Sequence, residues 1–318
     1  MAQDAAAFTE DLSLRAVADR NESGNDPTLD FGAHLLRRAE EPGLSTLERA
    51  QHVASFARTL DGFYIQHVTR LKKLGDDDAG VSVHGLSPLG WSRLVAGRIR
   101  PFARRHAALF RDGLVPAWEA EGMRVVGWDG AGPTQRKRLN DLFSARIFPL
   151  VTPLAVDPGR PFPYISNLSL NLAVLLEGIG SQRTRFARVK VPRHLPRFVQ
   201  LDEATFICVE AIIAANLDAV FPGAEVLEQH SFRVTRAADV DLLDVPAGAS
   251  DRRGARGAGT PVRLEAAEEM PANVLDFLAG QLGLDAHEVI PLPGPLDLAS
   301  VDTLGAAANA LGRATSRR

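Results

Sequence analysis

The chain has 318 residues, a length that suits about two domains with cores of their own, and its formal charge of −3 argues against a protein that coats nucleic acid. One cysteine, Cys208, excludes an intrachain disulfide and sits in the apolar run "TFICVEAII" as a small core residue. No apolar run reaches the roughly 20 residues of a bilayer span, and "MAQDAAAFTEDLSL" carries acids where a signal peptide carries bases, so a soluble, cytoplasmic protein is expected.

Residues 1–25 are polar and without period, as in a flexible tail. A short helix is expected over 28–40. "STLE" at 45–48 is a capping box, after which Leu47, Ala50, Ala54, Ala57, Leu60, Tyr64, Val68 and Leu71 recur at three- and four-residue steps, the stripe of a long amphipathic helix ending near "LGDDDAG". Ser87 with Pro88 behind it opens another helix running to about Gly122, with a kink expected at Pro101. Residues 26–122 therefore read as an antiparallel helical bundle.

From "MRVVGW" onward the pattern is mixed. Residues 133–147 read as helix. Then Pro153, Pro158, Pro161 and Pro163 stiffen an extended loop that can be neither helix nor central strand. Beyond it Leu168, Leu170, Leu172 and Val174 alternate with Ser169, Asn171 and Ala173, the period of a strand with one buried face. Further strands are expected near 185–191, 225–236 and 260–266, helices over 208–221 and 271–282, and a Gly/Ala/Arg surface loop over 246–260. The fold class is α+β: the bundle, then a mixed α/β head over 123–303 with helices packed on an open sheet, and a flexible tail over 304–318.

"SARIFPL", "VTPLAVDPGRPFPYISNLSLNLAV", "RFARVKVPRHLPRFV", "FPGAEVLEQHSFRVTRAADVDL", "TPVRLEAAEEMP" and "LPGPLDL" stand in the order and at nearly the spacing of bacterial type 1 polyphosphate kinases. The chain resembles that family over about residues 28–300, its N-terminal helical and middle domains. The resemblance implies phosphoryl transfer from ATP, assisted by magnesium, through a histidine to a growing polyphosphate chain. In the family that histidine lies in C-terminal domains, which the sequence does not reach. The resemblance also implies dimer contacts made by the two domains present. Expected partners are therefore a second copy, a full-length polyphosphate kinase or a separately encoded catalytic half, with polyphosphate as ligand. No cofactor, nucleic acid or transmembrane segment is expected for this chain itself. A noncatalytic, truncated relative is the leading expectation; part of a split kinase and a polyphosphate-binding module are the alternatives.

Within the resemblance, family members carry "SNLDEFF" where this chain has "RTLDGFY", so Thr59 stands at the position of an asparagine that contacts adenine. A hydroxyl carries one oxygen where the amide offers a donor and an acceptor. Gly62 replaces a glutamate in mid-helix, at a cost of roughly 0.5–1 kcal/mol relative to alanine.

None of His52, His67, His84, His106, His194 or His230 stands beside a visible orienting base and anion clamp, so no catalytic residue and no metal ligand is expected. The polyanion-binding candidates are Arg183, Arg185, Arg188, Lys190, Arg193 and Arg197. In a strand, Arg188 and Lys190 share a face opposite Ala187, Val189 and Val191. The same row also suits a charged edge that deters aggregation.

Overall fold

The capping box at 45–48 forms as its spacing dictates: Ser45 Oγ accepts from Glu48 N at 3.3 Å and Glu48 Oε2 accepts from Ser45 N at 3.0 Å. It starts the helix that organises the molecule. In this computed structural model, residues 27–68, 87–156, 162–178, 184–237 and 259–315 are described. The helical layer holds α1 (Pro27–Glu40), α2 (Thr46–Phe63, continued by a wide turn, Tyr64–Val68) and α3 (Pro88–Ala108). Ser87 caps α3 by accepting from Gly90 N at 3.1 Å, with Pro88 in the first turn where its missing donor costs nothing. The helix passes through Pro101, and the irregularity falls later, in a wide turn over Leu109–Leu114 before α4 (Val115–Ala120). Ser45→Ala is expected to cost about 1 kcal/mol, read as a lower urea midpoint.

Two sheets follow. β1 (Arg124–Val126), β6 (Thr205–Cys208) and β5 (Phe198–Gln200) form a three-stranded sheet in that order. The larger sheet has the order β2-β4-β3-β7-β8-β9, from β2 (Pro153–Val156), β3 (Ser169–Gly178), β4 (Thr184–Lys190), β7 (Ala224–Arg236), β8 (Pro261–Ala267) and β9 (Val289–Leu292). Its pairs are antiparallel except β8 with β9. The remaining helices are α5 (Pro133–Leu142), α6 (Val209–Ala214), α7 (Leu217–Val220), α8 (Ala272–Leu282) and α9 (Asp302–Thr315).

The large sheet separates two cores. Leu170, Leu172, Val174 and Val189 face Leu36, Phe56, Leu60 and Ile99 of the helical layer. Phe186, Phe232, Val234 and Leu264 face Val274, Leu278 and Leu282 of α8. Because the sheet is covered on both sides, Ser169 through Val174 of the inner strand β3 are buried on both faces, not on one as the alternation suggests. The polar positions of that alternation bond locally, Ser169 Oγ donating to Ser166 O at 2.7 Å and Asn171 Nδ2 to Ser169 O at 2.8 Å, while Asn171 Oδ1 stays without a partner.

The proline segment is more regular than an extended loop. Residues 153–156 pair with β4 as an edge strand, a place that tolerates Pro153 at the strand start. Residues 304–318, expected as a tail, carry α9 as far as Thr315. Gly305 lets α9 lie against α2, since a Cβ there would stand 2.9 Å from Ala50 Cβ and 3.1 Å from Leu47 Cα. The 1–25 tail, the far end of the α2 helical pattern, residues 157–161 of the proline loop and the 246–260 loop up to 258 lie outside the described residues.

Candidate functional site

One turn before its wide end, α2 places an acid on its buried side. Asp61 receives Arg233 Nη1 of β7 at 2.8 Å, and accepts also from Arg233 Nη2 and from Arg263 Nη2 of β8. Arg233 Nη1 donates to Glu265 Oε2 at 2.8 Å, and Asp297 Oδ1 lies 3.7 Å from Arg233 Nη2. Arg263 has no exposed surface, donates through Nη2 to Thr235 Oγ1 at 2.7 Å, and stacks 4.4 Å over the Tyr64 ring. Desolvation pushes the Asp61 carboxyl up, but Arg233 and Arg263 outweigh it and hold it below the ordinary carboxylate value. Burial likewise disfavours the charge on Arg233, and Asp61 with Glu265 holds it well above the usual arginine value. Tyr64 is pushed up to about 12, chiefly by burial. The cluster rivets the helical layer to the large sheet.

Beside it opens a cavity of about 810 Å³. Arg58, Asp61 and Gly62 of α2 form one wall, and Leu170, Leu195, Phe198 and Val209 form apolar surface. Arg193, Arg197, Arg233 and Asp297 supply its other charges. Arg197 is held from behind by a partly buried ion pair, both Nη atoms bonding the Glu210 carboxylate and Nη2 also donating to Leu296 O at 2.7 Å. Leu168 and Asp297, the two non-glycine residues with positive φ among the described residues, both line this cavity. Such backbone costs about 1–3 kcal/mol and collects at functional sites.

The five described residues of the basic stretch differ in their surroundings, with Arg188 and Lys190 two apart on β4 as the alternation expects. Arg183 lies outside the described residues, and Arg185 is exposed on β4. Arg188 is buried at 5% exposure, donates through Nη1 to Tyr164 O at 2.7 Å, and has its pKa lowered by desolvation. Lys190 Nζ donates to Ser166 Oγ at 3.0 Å, and its pKa is lowered by desolvation and then by Arg188 and Arg193. Arg193 Nη2 donates to Asn167 O. Three of the cations thus hold the 164–167 segment in place, and Arg197 turns inward to Glu210.

Thr59 faces the other side of α2. It lines a pocket of about 20 Å³ with Gly32, Phe56, Leu60, Phe63, Ile99 and Phe102, room for about one water. Of the histidines, His106 is buried with Nε2 donating to Val53 O at 2.9 Å, and His230 Nε2 lies 3.3 Å from Glu228 Oε2. His84 lies outside the described residues. Asp61, Arg233, Arg263 and Glu265 carry no role in the sequence reading. Their signal was an acid inside an apolar helix face, and "RLE" inside an apolar strand.

Residues 134–304 match the polyphosphate kinase middle domain and residues 25–126 match the polyphosphate kinase N-terminal domain. The chain belongs to the polyphosphate kinase family. The polyphosphate kinase of Streptomyces coelicolor is 43% identical over 276 residues, 85% of this chain and 37% of that protein. The polyphosphate kinase of Mycobacterium tuberculosis is 38% identical over 313 residues, 91% of this chain and 42% of that protein. The crystal structure of polyphosphate kinase from Porphyromonas gingivalis has the same fold, with a TM-score of 0.72 at 24% identity over 86% of this chain and 39% of that one. The chain spans about two fifths of the length of the polyphosphate kinases it matches.

Proposed function

We propose that this chain acts as a noncatalytic polyphosphate kinase relative that works through contact with a partner of the same family, either a second copy or a polyphosphate kinase bearing the catalytic segments. The observation that carries this reading is the edge of the large sheet. Phe148, Leu150 and Leu154 are 45%, 41% and 39% exposed within seven residues of chain, and they lead into and along β2, which pairs on one side alone. An exposed apolar edge with free backbone groups is a surface made for another chain. His106, spent on Val53 O and enclosed, is not open to accept a phosphoryl group. Polyphosphate remains a ligand of the reading through the exposed Arg185, with magnesium and ATP brought by the partner.

Light scattering of the chain, alone and mixed with an active polyphosphate kinase, tests the reading. A complex that Leu154→Lys weakens at least tenfold supports it. Polyphosphate formed from ATP and magnesium by the chain alone would overturn it. The identity of 43% to a polyphosphate kinase favours a second reading, the N-terminal part of a split ATP-dependent enzyme. Under that reading, activity appears when the chain is mixed with a separately encoded catalytic half and stays absent from either piece alone.

A further inference from the structure

The cavity beside α2 is walled mainly by carbon, yet four arginines line it, Arg58, Arg193, Arg197 and Arg233, against two carboxylates, Asp61 and Asp297. Arg233 is buried and the Arg197 side chain is 9% exposed, and their Nη atoms are engaged by Asp61 with Glu265 and by Glu210. The Nε–H of each is enclosed and turned away from the cavity space. That leaves Arg58 and Arg193, both exposed, as the cations of the lining that a ligand in the cavity can reach. The volume, about 810 Å³, is that of a small-molecule site, and apolar walls with a few fixed polar groups are the usual composition of one. Gly62 leaves the α2 wall open, because a Cβ added there meets nothing within 4 Å.

We propose that this cavity binds a small organic anion with an apolar body, its carboxylate or sulfonate head accepting from Arg58 and Arg193 and its body lying on Leu170, Leu195, Phe198 and Val209. A chain of bare phosphates does not satisfy the site, since its oxygens would face carbon along most of the wall. The site is separate from the β2 edge and stands whether or not that edge binds a partner.

The probe is 8-anilinonaphthalene-1-sulfonate, followed by its fluorescence on the whole chain at fixed ionic strength. Saturable binding of one probe per chain is expected, displaced by decanoate and not by tripolyphosphate at equal concentration. Gly62→Glu places a carboxylate among the arginines and is expected to weaken binding about tenfold or more. Gly62→Gln, equal in length and uncharged, is expected to weaken it by less than about threefold. Both variants replace a helical glycine in open space, so their melting temperatures should equal or exceed that of the parent. Equal loss in the two variants, displacement by tripolyphosphate as effective as by decanoate, or no saturable binding would each overturn the assignment.

Discussion

Replacing Asp61 with alanine is expected to lower stability by about 3–5 kcal/mol, the usual cost of breaking a buried ion pair by removing one partner. The cost is high because two guanidinium groups, on Arg233 and Arg263, lose the carboxylate that both contact, and neither can reach water in place. Glu265 stays within 2.8 Å of Arg233 and 3.3 Å of Arg263, so one acid must then serve both cations, with Asp297 at 3.7 Å from Arg233. Glu40→Ala is the contrasting control. It removes the ion pair with Arg105 on the surface, where both side chains are more than a third exposed, and a loss of about 0–1 kcal/mol is expected. Urea unfolding of the two variants beside the parent measures both. A cost for Asp61→Ala no larger than that for Glu40→Ala would mean the cluster is solvated. Because the folded Asp61 carboxyl sits below its ordinary value, its contribution is present above the unfolded carboxylate pKa near 4 and is lost as pH falls through the folded value.

Acidification from pH 7 toward pH 4 is expected to remove about 3 kcal/mol through His106 alone. Burial lowers its pKa to about 4, against the opposing effects of the Val53 carbonyl and Asp61, with Arg263 adding to the lowering. The unfolded imidazole titrates near 6.5. Between these values the unfolded chain holds more protons than the folded one, so stability rises with pH across the window and is fully present above it. The ring is fixed neutral by its setting, with Nε2–H on Val53 O at 2.9 Å and the Phe56 ring centroid 4.8 Å away. Urea midpoints at pH 7, 6 and 5 read the slope. His106→Leu should flatten that slope while lowering stability at pH 7, since the Val53 carbonyl loses its donor. An unchanged slope in that variant would assign the acid sensitivity to other groups.

The helices and the long strands were legible because they are amphipathic over enough residues for a period to register, and because Ser45 with Glu48 and Ser87 with Pro88 announce their starts. β1, β5, β6 and β9 have three or four residues each, too few for alternation to stand out. β2 was hidden by prolines that an edge position tolerates. α9 was hidden by small residues, whose value lies in docking closely on α2. The basic stretch was legible as composition, but the acceptors of its arginines were not. Arg188 bonds a carbonyl 24 residues earlier and Arg197 an acid 13 residues later. Asp61 and Arg233 are 172 residues apart, a pairing with no local pattern.

Helix α2 addresses three surroundings from neighbouring positions: Thr59 toward α1 and α3, Asp61 toward the large sheet, and Arg58 with Gly62 toward the cavity. Each added residue rotates everything beyond it by about 100°. One insertion between Glu48 and Arg58 would therefore swing all three sets out of alignment together, and no compensating change at a single site could restore them. Evolution can edit this segment letter by letter but cannot alter its spacing, so homologous stretches should align here without gaps.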